Sequence, residues 1–225
     1  MIVLAAHGTR DPHGARVVEE LAELVRAETP VPVRVAYADV RQPDVTTVLD
    51  SVRGHQAVVV PAFLAAGYHV RTDIPAQMAA SKHRDALLAD PFGPAPELVG
   101  VMRDRLARAG YREGDAVVLA AAGSSDPRAL AEVRCAAGQL ADLLGTPVRA
   151  GYVATARPTI AEAVAQARGR RVAVASWLLA PGLFQRKVLQ AGADVVADPL
   201  GVHPDVAGLV LARYRRARRE PAVAA

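Results

Sequence analysis

One cysteine in 225 residues leaves Cys135 without an intrachain partner, which excludes a disulfide framework and fits a reducing compartment. Its surroundings, AEVRCAAGQL, read as mid-helix, so it is expected as a small buried packing residue. Aromatic side chains are scarce, at 4% of the chain. No basic stretch interleaves with them and no nucleic-acid-binding module is recognisable, so nucleic acid is not an expected partner. No apolar run approaches the roughly 18 residues that cross a bilayer. The chain enters a strand at Ile2 without the basic start and apolar run of a signal peptide. A cytoplasmic protein with no membrane partner is the expectation.

Against these absences stand an apolar content of 52% and a net charge of +4, the composition of an ordinary globular protein. Much of the positive excess lies in Arg213, Arg215, Arg216, Arg218 and Arg219. Cations favour the last turn of a helix, so a basic helix end accounts for this tail. A mildly basic protein also suits an acidic small-molecule substrate.

The chain repeats itself. The segment VVVPAFLAAGYHVRTDIP (58–75) returns as AVASWLLAPGLFQRKVL (173–189), with Leu64, Gly67 and Arg71 reappearing as Leu179, Gly182 and Arg186, an offset of 115. The same offset carries His7-Gly8-Thr9 onto Ala122-Gly123-Ser124, Asp11-Pro12 onto Asp126-Pro127, Tyr37 onto Tyr152 and Pro43 onto Pro158. Asp90-Pro91-Phe92-Gly93 then matches Asp198-Pro199-Leu200-Gly201 at an offset of 108, so the second copy has lost seven residues between its third and fourth strands. Such self-similarity is the mark of a duplication. It predicts two lobes, residues 1–112 and 113–225, in a monomer with pseudo-symmetric halves.

Short apolar runs alternate with helical patterns in each half. Ile2 to Ala6 is the first strand, and Asp11-Pro12 is an N-cap with proline at the first helical position. Strands follow at Val33–Ala38, Gln56–Pro61 and Ala86–Ala89, with helices from about Pro43 to Val52, from the His69 loop through about Lys82, and from about Pro96 to Ala109. Continuous apolar strands separated by helices predict parallel sheets covered on both faces. Right-handed crossovers restrict each lobe to a doubly wound α/β/α sandwich on a four-stranded sheet.

Ligands of such sheets bind beyond the carboxyl ends of the strands, where the winding reverses. Three side chains are predicted there: His7 after the first strand, Asp39 after the second and His69 after the third. Two imidazoles and a carboxylate suit a borderline divalent ion such as Fe²⁺, Co²⁺ or Ni²⁺. In the second copy these positions are Ala122, Ala154 and Phe184, while the glycines and prolines that shape the turns remain. A set that disappears as a set behaves as one functional unit. His13, His55, His83 and His203 lack the pattern and are expected on the surface, and Asp73 before Ile74-Pro75 is expected as a helix cap.

AAHGTRD, ADVRQPDV and FLAAGYHVRTDIP resemble the class II chelatases of the sirohydrochlorin group, in the long form whose second lobe has lost its site. The resemblance covers nearly the whole chain and rests most on G-x-H-V-x-x-D-I-P. It implies a lyase that inserts Fe²⁺ for siroheme, or Co²⁺ for cobalamin, into sirohydrochlorin, with the metal as substrate and no organic cofactor. It further implies that His7 and His69 handle the metal, while Asp39 stands where the family usually has glutamate. Asp39 would orient an imidazole or take a proton from it. Arg10, Arg41 and Arg71 flank the three positions and would clamp the carboxylates of the macrocycle. Tyr68, Leu183, Phe184 and Trp177 are candidate apolar walls of a cleft for its flat face. Two other readings stand beside this one. A tetrapyrrole or metal carrier would keep the same residues without turnover, and a histidine phosphatase would use His7 as nucleophile, although Ala6 occupies the place where such enzymes expect arginine.

Overall fold

The computed structural model describes residues 1–52, 54 and 56–219. The first half runs β1 (Ile2–Ala6), α1 (Pro12–Ala27), β2 (Val33–Tyr37), α2 (Val45–Ser51), β3 (Ala57–Pro61), a wide turn at His69–Asp73, α3 (Ile74–Ala80), β4 (Ala86–Leu88) and α4 (Pro96–Arg108). The second half runs β5 (Ala116–Ala121), α5 (Pro127–Leu144), β6 (Val148–Tyr152), α6 (Ile160–Gln166), β7 (Val172–Trp177), α7 (Leu183–Leu189), β8 (Val195–Val196) and α8 (Pro204–Arg219). Two four-stranded parallel sheets result, ordered β2-β1-β3-β4 and β6-β5-β7-β8. Among the described residues no helix is long and apolar enough to cross a membrane.

In the first sheet, Val3, Ala5 and Val59 face one layer with Val45, Val48 and Leu49 of α2 and Ile74 of α3. The alternating partners Ile2 and Leu4 are equally buried and turn to the opposite face, since strand side chains alternate. There α1 packs on α8, and α8 on β3 and β4. The second sheet repeats the arrangement, with Val118, Ala120 and Val174 against Ile160, Val164 and Val188 and with α4 packed on α5 and β7.

The compact units are not the linear halves 1–112 and 113–225. One unit joins Met1–Gly93 to the chain from Pro204 onward, and the other is Pro94–His203. Each half therefore sends its last helix to the other half's sheet. The basic helix end belongs accordingly to the first unit: Arg213 donates to the carbonyls of Pro91 and Phe92, each at 2.9 Å. Arg216 lies 3.6 Å from Asp90.

Three further expectations change. Cys135 is exposed, because α5 buries the stripe Ala129, Val133, Ala136, Ala137 and Leu140, which passes beside it. His83 is buried rather than on the surface, held where Ser81 Oγ accepts from its backbone N–H at 3.0 Å and donates to Asp50 at 2.6 Å. The expected surface position of His55 lies outside the described residues. Helix α2 begins at Val45, after Pro43, because Asp44 caps it by accepting from the Thr47 N–H at 2.7 Å.

Candidate active site

Strand order places β1 between β2 and β3, so the winding reverses between β1 and β3 and their carboxyl ends open a crevice. Backbone bonds continue the ladder past the strand ends. Ala38 donates to Ala6 at 2.8 Å, Asp39 to His7 at 3.0 Å and Ala62 to Ala5 at 2.8 Å. Gly8 sits at φ +92°, and a Cβ there would fall on the carbonyl oxygen of Asp39. Val40 takes φ +68° to close the second loop. The loops after β1 and β2 are thus held at backbone contact.

His7 and His69 meet at this crevice, their ring centroids 4.4 Å apart and their planes at 80°. Nδ1 of His7 lies 3.0 Å from the Gly8 carbonyl oxygen, which can only accept, so Nδ1 carries the proton. Nδ1 of His69 lies 2.6 Å from Oδ2 of Asp73. Each imidazole so anchored keeps Nε2 as a lone-pair donor, the arrangement usual for a metal-binding histidine. Phe63 adds an apolar wall, its ring 6.2 Å from that of His7 and 6.1 Å from that of His69.

The other candidates divide. Asp39 is exposed and its Oδ1 accepts from the Val40 N–H at 2.7 Å. Among the described residues no three His, Cys, Asp or Glu side chains gather closely enough to hold a metal, so Asp39 does not complete a cage with the two histidines. Arg41 donates to the Thr9 carbonyl at 3.3 Å and lies 5.8 Å over the Tyr37 ring. Arg71 donates to the Ala66 carbonyl at 2.7 Å. Both guanidinia therefore brace loop backbone, while Arg10 and Tyr68 are exposed. Phe184 and Leu183 are exposed on α7 of the second unit. Trp177 is only 2% exposed, a core residue of β7 rather than a wall.

Asp73 is a correction of a different kind. It makes no side-chain cap bond to α3, and its carboxylate goes to His69 instead. Its i, i+4 spacing from His69 was the available signal, since such positions share a helix face. Phe63 carried none beyond its place just after β3.

The second unit preserves the scaffold without the groups. Gly123 takes φ +94° and Thr155 φ +66°, Ala154 donates to Ala122 at 3.0 Å, and X-Pro bonds 42–43 and 157–158 are both cis.

The sequence model of the CbiX family matches residues 1–109 and again residues 116–217. Among characterised relatives, the sirohydrochlorin cobaltochelatase of Methanothermobacter thermautotrophicus is 25% identical over 127 residues, covering 47% of this chain and 89% of the relative. The enzyme of the same name from Methanopyrus kandleri is 29% identical over 139 residues, covering 48% and 95%. Of solved structures, SirB from Bacillus subtilis with Fe³⁺ superposes with a TM-score of 0.81 at 23% identity, covering 96% of this chain and 94% of that one. CbiX described as the terminal enzyme of siroheme biosynthesis in denitrifying bacteria gives 0.76 at 24% identity, covering 96% and 98%. These superpositions show a shared fold.

Proposed function

We propose that this chain, which belongs to the CbiX family, is a sirohydrochlorin chelatase that inserts a divalent metal ion into the tetrapyrrole. The observation that carries the reading is the pair of imidazoles at the switch point, 4.4 Å between centroids, each anchored through Nδ1. The ion is a substrate here and has to leave. Two imidazoles and water form a sparser shell than the four-ligand cage of a structural site, so they hold an ion without trapping it. Fe²⁺ and Co²⁺ both accept such ligands, and both are proposed substrates.

Insertion replaces two pyrrole N–H protons by the ion. An imidazole released as the metal moves onto the macrocycle has a lone pair ready for one of those protons. Asp39 is tied to His7 through its backbone N–H, which donates to the His7 carbonyl, and its exposed side chain is the proposed outlet for protons to solvent. Arg10 is exposed, whereas Arg41 and Arg71 donate to loop carbonyls, and it is the proposed contact for substrate carboxylates. Phe63 and Tyr68 offer the macrocycle apolar surface.

Anaerobic incubation with sirohydrochlorin and excess Fe²⁺ or Co²⁺ tests this, with the absorbance of the macrocycle followed in time. Many equivalents converted per protein are expected. A change that stops at one equivalent would mean a carrier, and no change with either ion would overturn the reading.

A further inference from the structure

Position 73 shows how the first half differs from its copy. At the offset of 115, His69 corresponds to Phe184 and Asp73 to Val188, so the carboxylate is lost together with the imidazole it touches. In the second half α7 is a regular helix, and its buried positions at this turn are Gln185 and Val188, three apart. In the first half the Ile74 N–H donates to the His69 carbonyl, five residues back, a turn wider than an α-helical one. The buried positions there are Val70 and Ile74, four apart. One residue of phase has been inserted. It moves the core contact from position 73 to position 74, and Leu189, the counterpart of Ile74, is correspondingly exposed. Position 73, which packs into the core as valine in the copy, is thereby released from the core to reach His69.

We infer that Asp73 is a positioning residue, freed by the wide turn to hold His69 with its proton on Nδ1 and its Nε2 lone pair toward the metal. The inference rests on the proposed role of His69 as a metal ligand, but its structural half stands apart from any turnover. A carboxylate accepting from Nδ1–H fixes both the tautomer and the ring orientation and makes Nε2 the more basic donor. The same turn that costs the helix its regular ladder therefore supplies the imidazole with an anchor. Such wide turns recur at functional sites.

Two measurements test it. Long-range ¹H–¹⁵N correlation spectra of metal-free, ¹⁵N-labelled protein under mildly alkaline conditions should show His69 as the Nδ1–H tautomer, and Asp73→Ala should shift it toward Nε2–H. Titration with Co²⁺ alone should show an affinity weakened by about 10- to 100-fold in Asp73→Ala, with circular dichroism and Tm near those of the parent. Should Asp73→Ala not fold, the near-isosteric Asp73→Asn replaces it, with a smaller loss expected because a neutral amide accepts a weaker hydrogen bond. An Nε2–H tautomer in the parent, or a folded variant with the parent's tautomer and cobalt affinity, would overturn the inference. A parent that shows the Nδ1–H tautomer yet never metallates sirohydrochlorin would instead remove the chelatase reading and leave the positioning intact.

Discussion

A methyl group on Gly8 would have to share space with the carbonyl oxygen of Asp39 and would also sit at φ +92°, a conformation that only glycine adopts freely. Gly8→Ala should therefore destabilise the protein by more than about 1 kcal/mol and displace His7, which thermal unfolding and metallation rate would register together. The histidines themselves are a cleaner test. His7 is exposed and His69 half-buried, so His7→Ala and His69→Ala should each slow metallation by at least about 100-fold while Tm stays near that of the parent. A variant with close to parental turnover would remove that histidine from the site. Both imidazoles were legible in the sequence because the duplication supplied an internal control: His7 and His69 vanish in the second copy while Gly123 and Pro158 stay. Asp73 was hidden by its surroundings. An aspartate ahead of Ile-Pro has the local pattern of a helix cap, and the turn that diverts it depends on which residue reaches the core.

Helix α2 spans only seven residues, too few to be stable alone, so its cap and its packing decide whether it forms. The Thr47 backbone N–H, followed by the Thr47 hydroxyl, holds the Asp44 carboxyl below the usual carboxylate range. With the folded value below the unfolded one, near 3.9, the cap's charge contribution is complete above that unfolded value. It is lost as pH falls through the lower folded value. Asp44→Ala should cost about 1 kcal/mol at neutral pH, and Asp44→Asn much less. In urea unfolding the gap between parent and Asp44→Ala should narrow toward pH 3. A gap of unchanged width would mean that the charge of Asp44 contributes nothing. Helix starts marked by Asp-Pro are readable from two adjacent residues, as Asp11-Pro12 and Asp126-Pro127 show, whereas the sequence pattern that begins α2 at Pro43 misses the Asp44 cap. The seven residues missing from the second copy fall at α3, since α7 ends at Leu189, the counterpart of Ile74. The offset alone located the loss only between two strands.

At the scale of the molecule, the repeat was legible as two sheets but not as two bodies. Periodicity tells that α4 and α8 each have an apolar face. It does not tell which sheet that face covers, and here each goes to the sheet of the other half. Residues 1–112 expressed alone should therefore lack cover for one face of their sheet and should aggregate or self-associate. Residues 1–93 joined by a flexible linker to residues 204–219 should fold as a monomer that binds Co²⁺. Analytical ultracentrifugation of the two chains checks this, and a stable monomer of 1–112 would count against the exchange of helices.

That exchange also sets an order of events at the ribosome. Among the described elements, the sheet behind His7 and His69 is made before the whole of the other unit, and its covering helix, Pro204–Arg219, after it. With about 110 residues intervening, synthesis at about 5–20 residues per second leaves one apolar face waiting for on the order of 5–20 s, a span in which exposed apolar surface is open to aggregation. The later-begun unit, Pro94–His203, is complete before the earlier one. A nascent chain cut short before Pro204 carries both imidazoles on a sheet with one apolar face uncovered, a species prone to aggregate.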